Sequence, residues 1–300
     1  MKQIRDGSII KLFDKTPEPQ RERDVICPHF YELKWAYGCP YDCSYCYLKG
    51  TFRFRLVDGR ILPHFKDRGK IRRHLLEFLD VKSEPTLLNS GELCDSLMGE
   101  DLSEPFSEFI MPLIMGTRHR ILFLTKGTTV EHFLEHPEWG DRAVLSWSIN
   151  PDSVAERWEA LAPDVMKRIN AAEAVFKAGY EVRLRIDPMV PVDGWLNQYT
   201  RLVDEVFSRL FPERITLGSL RGLTSTRNNV KDRSWLKYLS EKSGWGLKPS
   251  HATRHAMYST VMKYLRETYN YVNVGLCKET LRMWKALGLN WRNNKCNCIP

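Results

Sequence analysis

Gly38-Cys39-Pro40-Tyr41-Asp42-Cys43-Ser44-Tyr45-Cys46-Tyr47-Leu48 is the stretch from which the rest of the chain is read. Its three cysteines are spaced C-x3-C-x2-C, with an aromatic residue just before the last. Thiolates this close together suit three irons of one [4Fe-4S] cube, because cysteine is the standard ligand of such clusters. The remaining iron then has no protein ligand and is open to a substrate or cofactor. That is an arrangement for chemistry rather than for electron storage. A zinc site wants four ligands and commonly two paired C-x2-C knuckles, and only one such pair stands here. Eight cysteines in 300 residues is too sparse for a small disulfide-stapled secreted domain.

Length and composition agree with an enzyme-sized α/β domain. The 300 residues are 43% hydrophobic, enough for a sizeable core, and α/β barrels of this length commonly form one domain. Met1 to Lys15 is charged and broken by Asp6 and Gly7, unlike a signal peptide. No apolar run is long enough to span a bilayer, so no membrane partner is expected. The expected location is the cytoplasm, where thiols stay reduced and available to iron. The net charge of +8 permits a polyanionic partner without requiring one.

Outward from the cysteine loop, short apolar strands alternate with amphipathic helices. Strands are expected at Phe30 to Ala36, Thr86 to Asn89, Arg120 to Thr125, Ala143 to Ile149, Glu181 to Ile186 and Arg214 to Leu217. Helices are expected at Lys70 to Leu79, Leu102 to Met115, Val130 to Glu135, Asp164 to Ala178 and Trp195 to Leu210. The alternation implies parallel βαβ units, and six of them make a partial (β/α)6 barrel. Residues 1–25 read as an N-terminal surface segment, 26–222 as the barrel and 223–300 as a C-terminal, cysteine-containing extension. The extension opens with a polar, basic stretch from Thr224 to Leu247. It continues with a helix at Ser250 to Thr268 and a last strand near Tyr271 to Val274. In such barrels the site lies where the strands end, so the strand-to-loop junctions are the places to look for ligands.

The cysteine spacing and the alternating pattern resemble the radical S-adenosylmethionine (radical SAM) enzymes. That resemblance implies that Cys39, Cys43 and Cys46 hold a [4Fe-4S] cluster whose free iron chelates the methionine end of SAM. It also implies a cofactor rim at the strand ends. Ser90-Gly91-Glu92 stands where these enzymes often carry a Gly-Gly-Glu-like turn, and Glu92 suits the SAM ammonium. Lys126 could pair with the SAM carboxylate. Ser148 and Asn150 could bind its ribose or carboxylate, and Asp187 ends the fifth strand. A solvated loop is the plain alternative for each of these residues.

Lys126 after its strand, Ser148-Ile149-Asn150, Ala178-Gly179-Tyr180 and Gly194-Trp195 follow the cysteine loop in that order. This ordered set resembles spore photoproduct lyase and its homologues, a family of DNA-repair radical SAM lyases. The resemblance implies a thiol that donates hydrogen to a product radical, with Cys94 as the candidate, and tyrosines that relay hydrogen, with Tyr45 and Tyr47 as candidates. Cys94 as a small buried hydrophobe is the alternative. The implied partners are a DNA substrate and an electron donor of flavodoxin or ferredoxin type. Basic and aromatic residues interleave in Arg227 to Trp245 and Lys263 to Tyr271, a pattern that suits phosphates and stacked bases but also an ordinary amphipathic surface.

Cys27, Cys277, Cys296 and Cys298 remain unassigned. Four thiolates could close a second, auxiliary Fe-S cluster or a zinc site, and the Cys296-x-Cys298 spacing is tight for a zinc knuckle. Three function classes follow. One is a radical SAM enzyme acting on a DNA lesion. Another is a radical SAM enzyme that modifies a peptide or small metabolite with an auxiliary cluster. The third is a non-enzymatic Fe-S or zinc protein that binds nucleic acid.

Overall fold

A computed structural model describes residues 6–300. The alternating strands assemble into one open, curled eight-stranded sheet. In chain order its strands are β1 (Ile10–Phe13), β2 (Phe30–Leu33), β3 (Leu87–Asn89), β4 (Arg120–Thr125), β5 (Ala143–Ser148), β6 (Glu181–Met189), β7 (Arg214–Ser219) and β8 (Val274–Leu276). They lie side by side in that same order. Every neighbouring pair from β2 to β8 is parallel, and only β1 runs antiparallel to β2. The α/β partial barrel expected from the sequence is the fold, extended by one strand at each edge.

Helices α1 (Arg68–Val81), α2 (Phe106–Met115), α3 (Val165–Lys177), α4 (Trp195–Phe207) and α5 (His251–Tyr269) form the longer crossovers. Their ends follow local chemistry. The Asp67 carboxylate accepts the Lys70 N–H at 2.6 Å, and Ser250 Oγ accepts the Thr253 N–H at 3.1 Å, each capping a helix N-terminus. Gly179, with φ +93°, follows the end of α3 in a left-handed conformation that costs a glycine little.

β6 shows how the sheet separates core from site. Val182, Leu184 and Ile186 join the main apolar core beneath the helices. Arg183, Arg185 and Asp187 alternate with them and so point to the inner, concave face.

Two boundaries differ from the expectation. The segment 1–25 does more than cover the surface. Ile10 pairs with Leu33 and Phe13 with Phe30, and Ile9, Ile10 and Phe13 are buried. Residues 1–5 of that segment lie outside the described residues. The extension 223–300 is integral to the sheet, because β8 pairs with β7. β8 forms at Val274–Leu276 rather than at Tyr271, whose ring packs against Phe207 and Phe211.

Beyond β8 the tail crosses the concave face. Asn297 is fully buried, and its Nδ2 donates to Ser146 Oγ at 2.8 Å and to the Leu184 carbonyl at 2.9 Å. Arg183 Nη1 donates to the Asn297 carbonyl at 2.8 Å. No helix among the described residues is long and apolar enough to cross a membrane.

Candidate active site

The cysteine loop is locked onto the strand ends by backbone contacts. Gly38 takes φ +85°, and a Cβ there would stand 2.1 Å from the Leu62 carbonyl oxygen, so only glycine fits. Its N–H donates to the Leu93 carbonyl at 3.0 Å, which sets the loop beside Cys94. The Ser44 N–H donates to the Trp158 carbonyl at 2.7 Å. Lys49 pairs with Asp42 at 2.8 Å and holds the loop's far side.

Cys39, Cys43 and Cys46 all open onto one cavity of about 170 Å³. Among the described residues no three His, Cys, Asp or Glu side chains stand in ligand geometry for a single ion. A cube places its thiolates on separate irons, so they need not converge on one point. The donor set is three soft thiols with no imidazole, which fits an iron–sulfur cube. Burial pushes all three thiols up, while the Lys126 ammonium opposes that at Cys43 and Cys46 and would offset the negative charge of a cluster.

Cys94 lines the same cavity, and its Sγ donates to the Ser90 carbonyl at 3.3 Å. Burial raises its thiol well above the ordinary range, so it is held as S–H. Tyr45 and Tyr47 also line the cavity and are likewise held as neutral phenols by burial. The Tyr45 hydroxyl donates to Glu159, and the Tyr47 hydroxyl donates to the Glu92 carbonyl.

Of the expected cofactor residues, Gly91, Glu92, Lys126, Ser148 and Asp187 line the cavity. Ser90 and Asn150 lie behind it. Ser90 Oγ bonds the Leu122 carbonyl at 2.8 Å and Ser96 Oγ at 2.9 Å, bracing β3 against β4. Asn150 Nδ2 donates to Glu159 at 3.1 Å. Polar residues at strand ends face either the cavity or the turn beneath it, and sequence position alone does not separate the two.

Glu159 was not expected, yet it organises this wall. Its fully buried carboxylate receives Tyr45, Asn150 and Arg168, and Lys126 Nζ stands 3.7 Å away. Burial alone would raise its pKa, but Lys126 and Arg168 outweigh that and hold it below the usual range. Nothing in the surrounding Glu156-Arg157-Trp158-Glu159 distinguishes it from a solvated helix end.

Arg185, Arg221 and Lys278, also unforeseen, line the same cavity, together with Trp245 from the basic and aromatic stretch Arg227 to Trp245. Asp187 Oδ2 accepts Arg185 at 2.9 Å and Arg221 at 2.8 Å, and the two cations hold its carboxyl far below the usual range against burial. A signal for Arg185 did exist: Val182-Arg183-Leu184-Arg185-Ile186-Asp187 alternates strictly, which puts one charged face inside.

The aromatic residues considered for base stacking are mostly committed elsewhere. Trp235 is fully buried, Tyr238 packs edge-on against Trp158, and Tyr264 and Tyr269 both donate to Asp204 at 2.6 Å.

The sequence profile of the family described as spore photoproduct lyase matches residues 27–218. Spore photoproduct lyase of Bacillus subtilis (strain 168) is 27% identical over 184 residues, 60% of this chain and 52% of the relative. The enzyme of that name from Geobacillus sp. (strain Y412MC61) is 26% identical over 182 residues, with the same coverage of 60% and 52%. The chain thus spans about half the length of the curated relatives it matches. A solved spore photoproduct lyase complexed with dinucleoside spore photoproduct superposes with a TM-score of 0.68 at 19% identity, covering 82% of this chain and 75% of that one. Streptococcus suis SuiB bound to S-adenosylmethionine matches with a TM-score of 0.52 at 14% identity, covering 84% and 50%.

Proposed function

Because the chain belongs to the spore photoproduct lyase family, we propose that it is a radical SAM lyase that repairs a thymine-type lesion in DNA. The observation that carries this reading is one cavity holding three cluster-type thiols, a protonated fourth thiol on Cys94 and a buried lysine. The named relatives act on or bind spore photoproduct, which supports that substrate class here.

Cys39, Cys43 and Cys46 would hold the [4Fe-4S] cluster. When bound, that cluster supplies the electron that splits SAM into methionine and a 5'-deoxyadenosyl radical. A flavodoxin- or ferredoxin-type donor in the cytoplasm supplies the electron in this reading. The protein's own work is placement. Lys126, kept charged by Glu159 against the cost of burial, presents an ammonium to the SAM carboxylate. Ser148 and Gly91 border the same space, and Gly91 has no room for a side chain because a Cβ would meet Leu124 at 2.6 Å. The apolar and aromatic wall excludes water from the reacting atoms.

Cys94 gives the hydrogen atom of its Sγ–H to the product radical. One S–H bond breaks, one C–H bond forms and the unpaired electron passes to sulfur. Tyr47 and Tyr45, both O–H donors on the cavity wall, can refill that sulfur and pass the radical onward.

The test uses the anaerobically reconstituted full chain with dithionite, SAM and either the dinucleoside lesion or irradiated DNA. The expected result is 5'-deoxyadenosine together with repaired thymines. SAM cleavage without lesion repair would move the substrate to another class. No SAM cleavage in a protein that holds its iron would overturn the enzymatic reading in favour of a binding module.

A further inference from the structure

We propose that Cys27, Cys277, Cys296 and Cys298 hold a second iron–sulfur cluster on the concave face of the sheet, against the Arg185 and Arg221 side chains that line the cavity. This rests on the placement of the cysteines and not on the lesion-repair reading.

The four residues come from three distant parts of the chain, and all are buried. Cys27 precedes β2, and its carbonyl accepts Thr16 Oγ1 at 2.7 Å. Cys277 follows β8, and its N–H donates to the Leu217 carbonyl at 2.7 Å. Cys296 and Cys298 flank Asn297, which the inner strands grip. Thr216 Oγ1 donates to Asn297 Oδ1 at 2.6 Å and accepts its N–H at 2.9 Å. Asn294 ties the start of the tail to β8, accepting the Leu276 N–H at 3.1 Å and donating to its carbonyl at 3.0 Å. The Cys296 side chain touches both Cys277 and Cys298, and Cys27 packs in one buried cluster with Cys296 and Cys298. A free tail would not spend this many buried contacts to bring two more thiols beside two others.

The surroundings suit anionic sulfur. Arg185 Nη2 stands 3.0 Å from Cys277 Sγ, and Arg185 Nη1 stands 3.9 Å from Cys298 Sγ. Arg221 reaches Cys277 Sγ at 3.8 Å, and Asn89 Nδ2 donates to Cys298 Sγ at 3.4 Å. A neutral thiol is a weak acceptor, a poor use of buried guanidinium donors. Arg185 and Arg221 share the single carboxylate of Asp187, so the wall carries cationic charge that bound thiolates would neutralise. N–H···S bonds of this kind, in a shell that includes Phe13, Phe30 and Trp245, are the means by which proteins tune iron–sulfur clusters. The one-residue spacing of Cys296 and Cys298 fits two corners of a cluster better than a zinc knuckle.

The experiment compares the full-length protein with the triple variant C39A/C43A/C46A and with C296A/C298A, each reconstituted anaerobically with iron and sulfide. Iron, sulfide and zinc per chain, thiolate-to-iron absorption and the electron paramagnetic resonance of the reduced sample are recorded. The triple variant is expected to keep about four irons with matching sulfide, and the full-length protein about eight. The C296A/C298A variant is expected to keep only the first cluster and to go on cleaving SAM. Cys27→Ser serves as a milder variant should the tail fail to pack, and it is expected to lower iron content or alter the spectrum of the triple variant's cluster. A triple variant that folds but binds no iron, or that binds one zinc without sulfide, overturns the proposal. Absence of SAM cleavage in the full-length protein that carries about eight irons would count against the proposed function alone.

Discussion

The Lys278 ammonium stands 3.2 Å from the Glu92 carboxylate and over the rings of Trp245, Phe13 and Tyr47 at 4.6, 5.2 and 5.4 Å. The carboxylate that the sequence offers to a SAM ammonium therefore already holds an ammonium from the chain's own tail. Any ligand amine at Glu92 has to share it or displace Lys278. Lys278→Met should destabilise the fold by about 3 kcal/mol, because it leaves a buried carboxylate unpaired. Adding Glu92→Gln should recover most of that loss. Denaturant unfolding of both variants checks it, and equal destabilisation in the two would show that the ion pair is not the cause.

Glu159 pairs with both Lys126 and Arg168 in a fully buried position. Glu159→Gln keeps the shape and removes the charge. The expected outcome is a loss of about 3 kcal/mol in stability, with a rise in the KM for SAM as Lys126 loses its orientation. Steady-state 5'-deoxyadenosine production at varied SAM gives the kinetic half of the answer.

Cys94→Ala and Cys43→Ala should separate two functions of sulfur. Cys43→Ala is expected to abolish SAM cleavage with loss of iron. Cys94→Ala should leave cleavage intact and change the product, since the S–H that quenches the product radical is gone. Product analysis by mass spectrometry decides it: an unchanged product removes Cys94 from the mechanism.

Gly38→Ala places a methyl group against the Leu62 carbonyl and forces a positive φ on alanine. A loss of about 2 kcal/mol is expected, with reduced iron occupancy because the loop carrying Cys39 must move. Thermal unfolding and iron content read the two effects independently.

The Glu100 carboxyl is pushed up to about 7 from an ordinary 4.5, chiefly by burial, although Ser107 hydrogen-bonds to it. The folded state thus holds this proton more tightly than the unfolded state. The stability it contributes is complete below about pH 4.5 and is lost as pH rises towards about 7, a swing on the order of 3 kcal/mol. Glu100→Gln should flatten that part of the stability–pH profile, and urea melts from pH 4 to 8 would show the slope gone or unchanged.

Most of the frame was legible because its signals are local. The C-x3-C-x2-C spacing, the period-two strands and the period-3.6 helices each lie within a short window, and they marked the cysteine loop and the central strands. Boundaries moved where packing overrode pattern. Tyr271 looks like strand but spends its ring on Phe207 and Phe211. Ser90 and Asn150 look like rim residues but brace the turns behind it.

By itself the sequence determined the α/β alternation, the triad Cys39, Cys43 and Cys46, and the placing of Lys126 and Cys94 next to strand ends. Only the tertiary structure decided that Glu159 faces Lys126, that Lys278 faces Glu92, and that Cys27 meets Cys277, Cys296 and Cys298. The physical reason is distance along the chain. Glu92 and Lys278 are 186 residues apart, and Asn89 and Cys298 are 209 apart. No local rule of spacing links them. They meet because the parallel sheet curls and the tail buries Asn297 on its concave face, where unpaired polar groups are costly and must find partners.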